Sequence, residues 1–256
     1  MIIYFSATGN CKYVAIAISE KTNDKIQSMI QLNNSKEYTI QLEEKEDLGI
    51  IIPTYFWGLP ALAKEYLTKM HIETKNKNPY IYAVSTYGTT PGGSIQIIDE
   101  ILKKKGYRLN SKYSLRMVDT WTVEFDLTKE ENINEFTKDT TKKLDTIIKS
   151  ITEHKNEELT EKTKGKLFYT MAQFAYELER KTSNFTVDDE CISCGMCAKD
   201  CPVNAISIEN EKPVWKNDKC LICFRCLHRC PTFSIEYKKK TRKNGQYTNP
   251  NITVFD

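Results

Sequence analysis

Two regimes of hydrophobic and polar patterning divide the chain. From Met1 to about Ser150, short apolar runs alternate with amphipathic stretches, the pattern of a parallel sheet covered by helices on both faces. The runs Ile2 to Ser6, Lys25 to Ile30, Leu48 to Pro53, Tyr80 to Ser85 and a stretch within Lys112 to Val118 read as strands. Three of them are rich in Ile and Val, as strands buried on both sides should be. Helices fit Lys12 to Lys21, Ala61 to Met70, Ser94 to Lys105 and about Lys129 to Glu153. The expected fold class is therefore α/β, a five-stranded doubly wound parallel sheet over residues 1–154. Residues 155–183 read as a linker and a docking helix. The polar stretch Lys155 to Lys166 contains Gly165, and the helix from Lys166 to Lys181 carries Leu167, Met171, Phe174 and Leu178 at spacings of four, three and four. That stripe is expected to be buried, packing one domain on the other.

The second regime, residues 184–237, has few large aliphatics. A module of about fifty residues rarely buries enough surface to fold unaided, so a covalent or metal staple is expected. The segment 238–256 reads as a basic polar tail. The longest apolar stretch, Leu48 to Ala63, is broken by Pro53, Gly58 and Pro60, and no membrane-spanning segment is expected. The start M-I-I-Y-F-S lacks a basic n-region, so no cleaved secretion signal and a cytoplasmic location are expected. Thirty-seven basic against 34 acidic residues leave a net charge of +3, too little to suggest a nucleic-acid partner.

Of the nine cysteines, eight lie from Cys191 to Cys230 and only Cys11 lies outside. In a reducing compartment so tight a group binds metal more often than it forms disulfides. Cys191, Cys194, Cys197, Cys201 and Pro202 spell C-x-x-C-x-x-C-x-x-x-C-P, and Cys220, Cys223, Cys226, Cys230 and Pro231 repeat it. Three thiolates on a tight loop reach three corners of one cubane, while the fourth, displaced and turned by proline, faces a second cluster. Zinc sites favour paired C-x-x-C with a longer gap, which two complete quartets do not match. The module resembles bacterial-type ferredoxins with an α+β fold, a likeness that extends through Cys201-Pro202-Val203-Asn204-Ala205-Ile206. By that pattern one [4Fe-4S] cluster takes Cys191, Cys194, Cys197 and Cys230, and the other takes Cys201, Cys220, Cys223 and Cys226. His228, inside the second motif, could tune that cluster; beside Lys216, Arg225 and Arg229 it reads more simply as polar surface.

At the N-terminus, Ser6-Ala7-Thr8-Gly9-Asn10 follows the first strand and turns into a helix. Hydroxyls, a permissive glycine and unpaired first-turn amides make an anion site suited to phosphate. Here the sequence resembles the flavodoxin family, whose first loop reads T/S-x-T-G-N-T around the phosphate of FMN. Cys11 replaces the final threonine with a poorer donor; it is either a small filler or a thiol activated by the helix terminus. Two more loops should meet at the C-terminal ends of strands, where open α/β sheets bind ligands: Pro53-Thr54-Tyr55-Phe56-Trp57-Gly58-Leu59-Pro60, and Ser85-Thr86-Tyr87-Gly88-Thr89-Thr90-Pro91-Gly92-Gly93. Each pairs aromatics with glycine, and the resemblance implies that they hold the isoalloxazine, with Trp57 and Tyr87 flanking it. It also implies that the peptide before Gly58 can turn its carbonyl toward the ring, against the simpler reading of a turn glycine. Asp119-Thr120-Trp121 could close the site, with Trp121 equally suited to the core.

A flavin exchanges one or two electrons and a cubane one, so their union implies electron transfer. The whole chain resembles flavodoxin-ferredoxin fusion proteins of anaerobic bacteria and archaea, which implies FMN, two [4Fe-4S] clusters and redox partner proteins of ferredoxin or flavoprotein type. No G-x-G-x-x-G follows a strand, so no nicotinamide fingerprint is present. Two functions stay open: a carrier that serves other redox proteins, and an oxidoreductase that reduces a quinone, nitro compound or other electrophile at the flavin. No His, Ser or acid constellation assigns proton transfer, which favours the carrier. The run Lys238 to Lys243 carries five positive charges in six residues; it either steers an acidic partner or is a solvated tail.

Overall fold

The computed structural model describes residues 1–252, without the side chains of 130–132 and 134–138. In chain order the first part consists of β1 (Ile2–Tyr4), α1 (Asn10–Thr22), β2 (Ile26–Ser28), α2 (Met29–Asn34), β3 (Thr39–Leu42), β4 (Leu48–Pro53), α3 (Ala61–Lys69), β5 (His71–Thr74), β6 (Ile81–Tyr87), α4 (Ser94–Lys103), β7 (Ser111–Arg116), α5 (Glu130–Thr152) and β8 (Glu158–Leu159). The main sheet runs β2-β1-β4-β6-β7-β8, and all of its pairings are parallel. Leaving aside the small β3-β5 pair, this is the 2-1-3-4-5 order of doubly wound flavodoxin-like sheets with one added edge strand. In β4, Ile50 and Ile52 face the core beneath α2, α3 and α4, while Ile51 faces the core beneath α1 and α5. Burial on both sides explains why these strands read as continuous apolar runs.

The remainder comprises α6 (Lys166–Glu179), β9 (Phe185–Val187), α7 (Met196–Lys199), β10 (Ile206–Glu209), β11 (Lys212–Trp215), α8 (Arg225–His228) and β12 (Ile235–Tyr237). Its short strands form two antiparallel pairs, β10-β11 and β12-β9. Among the described residues, no helix is long and apolar enough to cross a membrane.

Four expectations are corrected. The stripe on α6 faces outward: Leu167, Met171, Phe174 and Leu178 are 56–76% exposed, and Tyr169 and Tyr176 on the opposite face are buried. Tyr176 presents a polar tip as well as a ring, and the tip is needed where α6 lies over a loop carbonyl. The Tyr176 hydroxyl donates to Leu221 O at 2.9 Å. The stretch Lys155 to Lys166 is more than a linker, because β8 pairs with β7 at Lys112↔Glu158 and Tyr113↔Leu159. The basic tail is folded rather than solvated. Lys238 pairs with Glu179 and Arg242 with Asp188, Thr241 is fully buried, and the chain continues across the first loop; the last four residues of 238–256 lie outside the described residues. His228, finally, is buried rather than on the polar surface.

Candidate functional site

Residues from the three predicted loops meet in one crevice of about 460 Å³ outside the ends of β1, β4 and β6. Ser6, Thr8, Asn10, Cys11, Pro53, Thr54, Tyr55, Thr86, Tyr87 and Gly88 line it. Ala7, Met117, Val118, Asp119 and Thr120 complete the wall. The β1-α1 turn needs Gly9, whose φ is 99°. Its amide donates to Ser6 Oγ at 3.2 Å, and with no side chain at the N-cap the first-turn amides of α1 stay available for an anion. Cys11 is buried and its Sγ lies 3.1 Å from Thr86 Oγ1. Burial pushes the thiol up to about 12, so it is a filler and not an activated thiolate.

The second loop is locked rather than free. Phe56 and Trp57 have φ of 45° and 58°, and Tyr55 and Gly58 exchange both backbone hydrogen bonds at 2.9 Å. Trp57 O, the carbonyl before Gly58, accepts from Gly93 N at 2.7 Å; Gly58 O accepts from Ser94 Oγ at 2.8 Å. Gly92 is required beside it, because its φ is +59° and a Cβ there would stand 2.5 Å from Trp57 Cα. Thr54 Oγ1 is held by Ser85 Oγ, Pro91 O and Ser94 Oγ at 2.9–3.0 Å. From the far side, Gln173 Nε2 of α6 donates to Tyr55 O and Phe56 O at 2.8 and 3.2 Å.

Phe56, Trp57, Gly58, Ser85, Gly92 and Gly93 thus build the loops without lining the crevice. Trp57 packs edge-on against Phe168 with centroids 5.3 Å apart, and Tyr55 stands on the wall where Trp57 was expected. Trp121 stacks on Phe224 at 4.9 Å and belongs to the core between the halves. Asp119 accepts from Trp121 N and Thr89 Oγ1, while burial holds its carboxyl above the usual range.

Cys191, Cys194, Cys197 and Cys230 surround one void of about 360 Å³ whose wall also includes Ile192, Ile208, Pro213 and Ile235. Cys201 lies near enough to Cys220, Cys223 and Cys226 for its charge to raise all three thiols, and Cys226 also feels Cys197. Burial raises Cys197 and Cys220 to about 11 and Cys223 to about 12, with neighbouring thiolates adding to the shift. Thiols crowded in this way resist ionising together unless a cationic centre binds them. Ala205 N donates to Cys201 Sγ at 3.2 Å and Ser234 N to Cys230 Sγ at 3.3 Å, equivalent bonds four residues beyond each fourth cysteine. The donor sets fit two [4Fe-4S] clusters, and the crevice, with its anion turn and aromatic wall, fits a phosphorylated flavin.

Residues 1–146 match the family model described as flavodoxin domain. The chain belongs to the flavodoxin domain family. Residues 184–231 match a 4Fe-4S dicluster domain, so this flavodoxin is fused to a ferredoxin-type module; FMN and two [4Fe-4S] clusters are the cofactors of those domains. A ferredoxin of Acetoanaerobium sticklandii is 50% identical over 30 residues, 12% of this chain and 54% of that protein. The chain therefore spans about half the length of the curated relative it matches. Among solved structures, FMN-bound Fusobacterium nucleatum flavodoxin is similar at 17% identity and a TM-score of 0.36, covering 59% of this chain and 95% of that one. Rubredoxin:oxygen oxidoreductase of the anaerobe Desulfovibrio gigas has 14% identity and a TM-score of 0.36, with 60% and 36% covered.

Sequence reasoning missed the residues that join the two halves. His228 Nδ1 accepts from Tyr247 N at 3.2 Å, so its proton sits on Nε2, 2.9 Å from Thr120 O in the crevice wall. Burial holds its pKa down at about 4. Tyr55 forms a second junction. It lines the crevice, packs in the same apolar cluster as Cys223, and its pKa is raised by burial first and then by the Cys223 charge.

Proposed function

We propose that this chain is an electron carrier in which the crevice holds FMN, the two cysteine quartets hold [4Fe-4S] clusters, and the quartet of Cys201, Cys220, Cys223 and Cys226 is the one next to the flavin. The observation that carries this reading is Tyr55, which lines the crevice and packs against the same apolar cluster as Cys223. Bound together, these groups would supply an interface between two-electron and one-electron chemistry. The protein's part is positioning. Gln173 and Gly93 tie the Tyr55 loop, Phe56 and Tyr176 pack behind it with centroids 5.4 Å apart, and Trp121 stacks on Phe224 beside them. The first quartet lies farther out, with Cys194 exposed and Ile192 62% exposed beside it. It is the exit toward redox proteins of ferredoxin or flavoprotein type.

The test is anaerobic purification with flavin, iron and sulfide counts, followed by rapid reduction monitored in the flavin and iron-sulfur bands. One FMN and about eight irons per chain are expected, with the clusters reduced through the flavin. Flavin reduction that leaves both clusters oxidised overturns the relay.

A further inference from the structure

We propose that residues 244–252 belong to the FMN site as a strap that binds the phosphate loop to the second cysteine motif, so that flavin retention depends on an intact iron-sulfur module. The inference rests on the crevice being an FMN site. One end of the strap is fixed in the cluster module: Gln246 Nε2 donates to Leu227 O at 2.6 Å and to Cys230 O at 2.8 Å, and Tyr247 N donates to His228 Nδ1. The other end is fixed on the loop: Asn249 N donates to Thr8 O at 2.7 Å, and Asn249 Nδ2 and Tyr247 OH both donate to Asn10 Oδ1 at 3.0 and 3.1 Å. Tyr247, Asn249 and Ile252 are 4–8% exposed. The strap also fits Gly9 closely, since a Cβ there would stand 2.9 Å from Asn249 Cβ and 3.4 Å from Ile252 Cβ.

Asn10 is consequently a keystone. Its carbonyl oxygen takes both strap bonds while its Nδ2 donates to Val118 O at 3.3 Å. A phosphate is then left to the backbone amides and the Ser6 and Thr8 hydroxyls, held in a turn that the strap keeps closed. Preorganisation of this kind raises affinity mainly by slowing release. A module of about fifty residues relies on its metal to fold, so losing the clusters frees the strap's anchor and loosens the loop. By linkage, bound flavin favours the folded module in return.

The experiment measures FMN release from the anaerobic, fully loaded chain by the return of flavin fluorescence on dilution. Asn249→Ala should release FMN several-fold faster with iron-sulfur absorbance unchanged. A chain ending at Gly245 should release it at least tenfold faster. Stripping iron from the wild type should raise its release rate toward that of the shortened chain. Wild type that binds no FMN overturns the underlying reading and the strap with it. One FMN per wild-type chain, with release unchanged in both variants, overturns the strap alone.

Discussion

Two residues on α6, two positions apart, should respond to substitution in opposite ways from those their sequence suggests. Phe174 lies on the apolar stripe and is 67% exposed; Tyr176 is 1% exposed, donates to Leu221 O at 2.9 Å and accepts from Ala61 N at 3.4 Å. Tyr176→Phe keeps the ring contacts with Tyr55 and Phe56 but strands a buried carbonyl between Cys220 and Ile222. The loss of its partner costs about 1–3 kcal/mol. Tyr176→Ala also removes the ring and should cost about 3–5 kcal/mol. Phe174→Ala should stay within about 0.5 kcal/mol of wild type, as surface substitutions do. The assay is anaerobic urea unfolding of the loaded protein followed by tryptophan fluorescence, which samples Trp57 and Trp121 near α6. Because bound cofactors break two-state behaviour, midpoints are compared directly. A larger midpoint drop for Phe174→Ala than for Tyr176→Phe would refute the assignment of the helix faces.

Other outcomes test the remaining parts of the site. Alkylation of native, cluster-loaded protein at pH 8 should leave Cys11 unmodified, since its thiol stays protonated up to about 12, and modification should appear only on unfolding; fast labelling by mass spectrometry would restore the activated-thiol reading. Gly92→Ala should cost about 1–3 kcal/mol of stability for the left-handed conformation, and more for the contact with the Trp57 backbone, whereas Gly165→Ala, with nothing within 4 Å, should be tolerated. Gln173→Ala should weaken FMN binding about two- to tenfold, the worth of one or two hydrogen bonds, with iron content unchanged; equal affinity by fluorescence titration would show that α6 does not shape the loop. Neutralising Lys239, Lys240 and Lys243, which remain exposed, should slow reduction by an acidic ferredoxin at low salt but not at high salt; equal rates at low salt remove the steering role.

The sheet was legible because burial on both faces leaves a run such as Leu48-Gly49-Ile50-Ile51-Ile52 with no other comfortable place. The cysteine quartets were legible because iron-sulfur ligation fixes side-chain spacing along the chain. The face of α6 was not legible. Period identifies a stripe, but it does not say whether the protein covers that stripe or the one opposite, and α6 carries both an aliphatic stripe and the Tyr169-Gln173-Tyr176 face. Likewise β3, β5 and β8 are short and largely polar, Thr39-Ile40-Gln41-Leu42, His71-Ile72-Glu73-Thr74 and Glu158-Leu159, with no continuous apolar run to mark them.

The features that escaped share one physical cause. His228 meets Thr120 O, Tyr176 meets Leu221 O, Gln173 meets Tyr55 O and Gln246 meets Cys230 O. In each pair a polar side chain satisfies a backbone carbonyl in another part of the chain, and nearly every residue type offers the same carbonyl. Such a bond leaves no complementary mark on its partner's sequence, so a side chain destined for it looks like one that faces water beside Lys216 or Arg229. Ligation and apolar packing constrain both partners and can be read from one chain. Joining two modules through side chain to backbone bonds constrains only one, and that is why strands and cysteine spacing can be read from the sequence while the junction between the modules cannot.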